Sequence, residues 1–308
     1  MEYILLVVGF ILLIKGADFF VEGSSSVAKM LRVPSLIIGM TIVAMGTSLP
    51  ECSVSVSASI AGKNELAISN AIGSNIFNLM VVCGFCALFC PLAVQVSTLK
   101  KEFPFSIIIA LLLLFFGSTG MLVGHLEGVV LLILFAVFIF WMLQSAKKAR
   151  NEGTEEEYEV LPIWKCILFI IGGAVAIILG GNLVVDSASQ IARNFGMSDN
   201  LIGLTIVACG TSLPELVTSV VAAKKNEVDM ALGNVIGSNI FNILFVLGIA
   251  TAISPIAFIQ ENMVDILVLT AMSLLVWAFA WSKKKIVRWE GVVMLLGYFG
   301  YLGYIINR

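Results

Sequence analysis

Charge is what this sequence has least of. Lys, Arg, Asp and Glu together make up 12% of its 308 residues, against about a quarter in a soluble domain. With 59% of residues apolar, a solvated globular surface is excluded. Eighteen basic residues face twenty acidic ones, with no basic stripe of the kind nucleic acid requires. Histidine occurs once, at His125. Cys52, Cys83, Cys86, Cys90, Cys166 and Cys209 lie within or at the ends of apolar runs, where a thiol behaves as a small hydrophobe. A disulfide framework is therefore not expected, and the CxxC of Cys83 and Cys86 lacks the further ligands that zinc needs. The Met-Glu-Tyr start has no basic n-region and no small-residue cleavage site follows, so the first apolar run is expected to be retained. Neither an HExxH nor a nucleophile–base pair is present, which argues against an enzyme and against a resident cofactor.

What is there is apolar sequence in lengths that cross a bilayer, roughly 20 residues each. Ten spans fit, near residues 3–27, 35–61, 66–90, 103–122, 125–146, 163–191, 199–223, 228–252, 263–282 and 287–306. The expected fold class is an all-α integral membrane protein. Fourteen Lys and Arg fall in one set of alternate loops and three in the other. Because cytoplasmic loops collect basic residues, both termini are expected outside the cytoplasm and the 147–162 loop inside.

A shift of 164 residues aligns Gly39–Asn78 with Gly203–Asn242 without a gap, and 23 of the 40 positions are identical. Composition alone would give about one match in ten, so the chain carries an internal duplication. The same shift sets Gly16, Asp18, Val21 and Glu22 against Gly180, Asn182, Val185 and Asp186. The predicted units are residues 1–146, a cytoplasmic linker 147–162, and residues 163–308. Each unit has five spans, and five is odd, so the second enters the membrane from the opposite side. Inverted repeats with interrupted helices are typical of secondary transporters, whose sites lie near the midplane between the repeats.

Two segments carry the chemistry, TIVAMGTSLPE ending at Glu51 and TIVACGTSLPE ending at Glu215. Pro50 cannot donate to the carbonyl of Gly46, nor Pro214 to that of Gly210, so each proline is expected to break its helix. Freed carbonyls persist in a membrane only where protein, water or an ion satisfies them. Thr47 and Ser48 lie four and three residues before Glu51, on one helical face; Thr211, Ser212 and Glu215 repeat the pattern. In the next span Ser74 and Asn78 follow a Gly-Ser pair expected to interrupt the helix, as do Ser238 and Asn242. Hydroxyls, carboxylates, amide oxygens and backbone carbonyls are hard ligands that suit Na⁺ and Ca²⁺, whereas zinc and copper prefer imidazole or thiolate. Threonine and serine in membrane helices also bond their own backbone, but a carboxyl at bilayer depth is costly and marks function. Asp18, Glu22 and Asp186 lie toward span ends and are expected to serve structure or gating; Lys15 stands three residues before Asp18.

GMTIVAMGTSLPE with NAIGSNIFN, and GLTIVACGTSLPE with NVIGSNIFN, resemble the two alpha-repeats of the sodium/calcium exchangers in the cation/Ca²⁺ antiporter superfamily, in their compact prokaryotic form. The resemblance covers essentially the whole chain. It implies ten helices, the second, third, seventh and eighth enclosing the ions and the long first and sixth sliding against them. Matched residue by residue, it places shared carboxylates at Glu51 and Glu215. Hydroxyl ligands fall at Thr47, Ser48, Thr211, Ser212, Ser74 and Ser238, carbonyl ligands at Ala44 and Ala208, and amides at Asn78 and Asn242. Several relatives carry aspartate at the position of Asn242, among them potassium-dependent exchangers. Two carboxylates with two asparagines resemble the potassium-independent pattern. The resemblance also implies a cell-membrane location, Na⁺ and Ca²⁺ as the transported ions and a monomeric functional unit. The 147–162 junction lacks the large Ca²⁺-sensing domains that some members carry there.

Three rivals share parts of this pattern. A buried carboxyl pair can also take up protons, so H⁺ is a competing ion and Ca²⁺/H⁺ antiport is the alternative closest to sodium exchange. A cation channel could use paired breaks to line a pore, and an intramembrane hydrolase could use two carboxylates for acid–base chemistry. The repeat and the oxygen-only donor set favour the antiporter.

Overall fold

The computed structural model describes residues 1–152, 160–197, 202 and 206–307. Its helices are α1 (Glu2–Leu31), α2 (Ser35–Thr47), α3 (Leu49–Ile60), α4 (Asn64–Phe89), α5 (Val96–Lys100), α6 (Glu102–Ser118), α7 (His125–Glu152), α8 (Ile163–Asn194), α9 (Ala208–Gly210), α10 (Leu213–Lys224), α11 (Val228–Ile253), α12 (Gln260–Lys283) and α13 (Arg288–Asn307). Seven of them, α1, α4, α7, α8, α11, α12 and α13, are long and apolar enough to cross a membrane. The pair α2 and α3 passes the same test together and is bent by 49° at its break, which makes eight if the pair is one span. Helix α6 has 17 residues, about 25 Å at 1.5 Å per residue. Of the expected seventh span, residues 199–201 and 203–205 lie outside the described residues, as does the middle of the 147–162 linker.

The expected break in the second span is present: the backbone leaves helical geometry at Ser48, with φ −86° and ψ 11°, two residues before Pro50. Pro50 occupies the first turn of α3, where the missing N–H is one that a helix start leaves unpaired in any case. Ser212 is its counterpart, at φ −94° and ψ 9° ahead of α10 and Pro214. The Gly-Ser pairs do not interrupt α4 or α11. Both helices run through them and then widen into one π-type turn, Asn78–Val82 and Asn242–Val246. Such turns are common at functional sites, and here each begins at the asparagine singled out by the sequence.

Small residues set the crossings. Helices α1 and α8 lie along each other, and a Cβ on Gly16 would come within 2.9 Å of the Gly173 carbonyl, one on Gly180 within 2.8 Å of the Gly9 carbonyl. The shift of 164 maps Gly9 to Gly173 and Gly16 to Gly180, so these contacts exchange partners between the halves. Four short strands do the same. Strand β1 (Leu92–Ala93) pairs antiparallel with β4 (Lys285–Ile286), and β2 (Leu122–Val123) with β3 (Ile256–Ala257). Each strand thus closes on the other half of the chain. The tight turns before α4 and α11 correspond too: Gly62 and Asn226 stand at φ 69° and 62°, the left-handed region that these two residue types tolerate best.

Candidate cation site

The two breaks meet in the middle of the helical core. Glu51 and Glu215, each in the first turn of the helix after its break, have no exposed surface. A carboxylate at a helix start is favoured by the helix dipole, yet that does not offset burial, which costs several kcal/mol per ion. No lysine or arginine pairs with either glutamate among the described residues.

The hydroxyls cross from one half to the other. Ser48 donates to Oε1 of Glu215 at 2.7 Å, and Ser212 donates to Oε1 of Glu51 at 3.0 Å. The sequence pattern grouped each serine with the glutamate of its own segment; the fold pairs it with the glutamate of the other. Ser74 adds a longer contact of 3.5 Å to Glu51 Oε1. Thr47 directs its hydroxyl to the Val43 carbonyl at 3.1 Å and also lies 3.1 Å from Oδ1 of Asn234. Its backbone bond is the ordinary habit of threonine in a membrane helix. The Ala44 carbonyl accepts from the Ser48 N–H at 3.0 Å and from the Thr47 hydroxyl at 3.3 Å. Ala208 is described only by its place at the start of α9.

Of thirteen buried side-chain oxygens without a hydrogen-bond partner among the described residues, six belong to residues expected at the site: Oε2 of Glu51 and Glu215, Oδ1 of Asn78 and Asn242, Oγ of Ser238 and Oγ1 of Thr211. Native proteins rarely leave such atoms unmatched. Two of the six, on Glu51 and Asn78, come from the first half and four from the second, and all are hard oxygen donors. No cluster of three or more His, Cys, Asp or Glu exists among the described residues. Beside the breaks, a cavity of about 400 Å³ is lined by Pro50, Ser53, Asn182, Asp186, Thr211 and Pro214 among others.

Sequence reasoning missed a supporting ring. Asn70 donates to Ser55 Oγ at 2.9 Å and to the Glu51 carbonyl at 3.1 Å. Asn234 donates to Ser219 Oγ at 2.9 Å and reaches the Glu215 carbonyl at 3.5 Å. Both asparagines stand at matching places in the repeat, and a polar residue kept in both copies of an apolar span was the available signal. Asp18 and Glu22 pair with Lys225, at 2.8 and 3.5 Å. Glu227 accepts hydroxyl bonds from Ser25 and from Ser35, the latter at 2.8 Å. These contacts tie α1 to the α10–α11 turn, a partnership that spacing along the chain did not suggest.

Fold and site together define a membrane helical protein with two buried glutamates among oxygen donors at its core. A family model described as sodium/calcium exchanger protein matches residues 1–144 and 165–307. The chain is 41% identical to the putative antiporter CaxA of Alkalimonas amylolytica, over 97% of its own length and 96% of that protein. It is 32% identical to the sodium/calcium exchanger MaX1 of Methanosarcina acetivorans, over 98% and 97% of the two chains. Among solved structures it is similar to the sodium-calcium exchanger NCX_Mj soaked with zero Na⁺ and Ca²⁺, with TM-score 0.85, 34% identity, and 99% and 98% of the chains covered. The chain belongs to the sodium/calcium exchanger family.

Proposed function

We propose that this chain is a secondary-active antiporter of the cell membrane that exchanges Na⁺ for Ca²⁺ by alternating access. Its proposed architecture is ten transmembrane helices in two inverted five-helix repeats, residues 1–146 and 163–308, joined by a cytoplasmic linker with both termini outside. The observation that carries this reading is the six unpartnered oxygens gathered from both halves around two buried glutamates. Glu51, Glu215, Thr47, Ser48, Thr211, Ser212, Ser74, Ser238, Asn78 and Asn242 are the proposed ion-facing residues, with the Ala44 and Ala208 carbonyls at the breaks.

Charge arithmetic gives the mechanism. Two ionised glutamates make the bare site −2, one Ca²⁺ brings it to zero, and a load of about three Na⁺ brings it to about +1. The loaded forms can close over the site, whereas the bare −2 form cannot leave water cheaply. Fluxes are coupled because both ions use the same two carboxylates. The cavity beside Asn182 and Asp186 is the proposed approach to the breaks, and α1 and α8, packed together at their glycine-lined crossing, are the helices proposed to slide against α2, α3, α4, α10 and α11 to change access. H⁺ competes for the same carboxylates.

The test is ⁴⁵Ca²⁺ uptake into proteoliposomes loaded with Na⁺, compared with choline or K⁺ at matched pH. Uptake is expected only with Na⁺ inside. Equal uptake under a pH gradient without Na⁺ would transfer the assignment to Ca²⁺/H⁺ antiport.

A further inference from the structure

Two fully buried asparagines, Asn75 and Asn239, lie one turn ahead of the proposed ligands Asn78 and Asn242 and have no role in the exchange scheme. Their hydrogen bonds run between the halves. Nδ2 of Asn239 donates to the backbone carbonyl of Asn75 at 3.2 Å, and Nδ2 of Asn75 donates to the backbone carbonyl of Asn239 at 3.1 Å. Oδ1 of Asn239 accepts from Nδ2 of Asn78 at 3.2 Å, and Oδ1 of Asn75 accepts from Nδ2 of Asn242 at 3.1 Å. Oδ1 of Asn78 and of Asn242 are then left buried with no partner.

The order of these bonds matters. An asparagine amide has a donor end and an acceptor end of nearly the same shape, and which way it points is set by its neighbours. A backbone carbonyl can only accept, so Asn239 must turn its NH₂ to Asn75, which leaves its oxygen toward Asn78. That oxygen in turn admits only the NH₂ of Asn78. The chain of constraints ends with the Asn78 oxygen turned away from its partner. The mirror sequence, from the Asn239 carbonyl through Asn75, does the same for Asn242. A reversed amide would present a partial positive charge to a cation.

Resting on the exchanger reading, we propose that Asn75 and Asn239 are positioning residues that fix the polarity of the ligand amides, Asn239 for Asn78 and Asn75 for Asn242, so that oxygen and not NH₂ meets the transported ion. The pairing is specific, and it makes the inference testable by double-mutant cycles. Equilibrium ⁴⁵Ca²⁺ binding to purified, monodisperse protein is measured for Asn239→Ala, Asn78→Ala, Asn242→Ala and the two doubles containing Asn239→Ala.

Asn239→Ala is expected to weaken Ca²⁺ binding roughly tenfold, the size of one lost hydrogen-bond constraint. It is expected to add less than about twofold when Asn78 is already alanine, and its full effect when Asn242 is alanine. Equal coupling to both, or no loss of affinity in the single variant, would overturn the proposal. Asn239→Asp keeps an oxygen opposite the Asn78 NH₂ but sets a carboxylate against the Asn75 carbonyl. It is expected to bind Ca²⁺ within about threefold of the parent, whereas a merely structural staple would lose at least as much as with alanine. That contrast decides the matter even where Asn239→Ala does not fold. A parent protein that binds no Ca²⁺, and whose Glu51→Gln variant is indistinguishable from it, would bring down the exchanger reading itself.

Discussion

At the scale of single residues, the site is made of bonds that occur twice. Ser48 to Glu215 and Ser212 to Glu51 are equivalent under the 164-residue shift, at 2.7 and 3.0 Å. Ser48→Ala and Ser212→Ala are therefore expected to weaken Ca²⁺ binding by similar factors, each roughly tenfold, since a hydrogen bond to a charged group contributes about 1.5–3 kcal/mol. Equilibrium ⁴⁵Ca²⁺ binding to the two variants checks this, and a large effect from one serine alone would show that the halves are not equivalent at the ions. Glu51→Gln or Glu215→Gln, which removes one of the two charges, is expected to abolish Na⁺-dependent ⁴⁵Ca²⁺ uptake into sealed vesicles. Near-normal uptake by either variant would refute the shared site. Most of these residues were legible in the sequence, because a carboxylate and a proline inside an apolar run need a reason and a repeated motif supplies one. Spacing along the chain shows only which side chains share a helix face, so the exchange of partners between halves was not visible. Nor were Asn70, Asn75, Asn234 and Asn239, whose partners lie on other helices or across the molecule.

At the scale of elements, small residues decide how closely helices approach. A Cβ on Gly237 would meet the Met40 backbone at 2.6 Å. Gly237→Ala is expected to destabilise the protein by about 1–3 kcal/mol through overpacking of the α2–α11 crossing. Thermal unfolding of the purified variant measures the loss, and an unchanged midpoint would contradict the packing described. Nothing in the sequence marks this glycine as a contact, since that depends on which helix comes to rest against it. The helix breaks teach a related lesson. Proline marks the discontinuity, and the chain bends two residues earlier, at Ser48 and Ser212, because proline is well placed in the first turn of a new helix.

Across the whole molecule, the charge of the loaded site becomes a voltage dependence. If about three Na⁺ leave for each Ca²⁺ that enters, one net positive charge moves outward, and 100 mV changes that step by about 2.3 kcal/mol. ⁴⁵Ca²⁺ uptake into Na⁺-loaded proteoliposomes is expected to be faster when a K⁺ gradient and valinomycin hold the interior positive, and slower when they hold it negative. Uptake indifferent to the clamp would mean an electroneutral cycle. The crossed strands carry one more consequence, for how the protein is made. Until the second half has been synthesised, Leu92–Ala93 and Leu122–Val123 have no edges to join, and the hydroxyl that will hold Glu51 does not yet exist in the membrane. A polypeptide stalled after residue 152 would therefore carry two unpaired strands and a Glu51 without the Ser212 hydroxyl that bonds it in the finished protein.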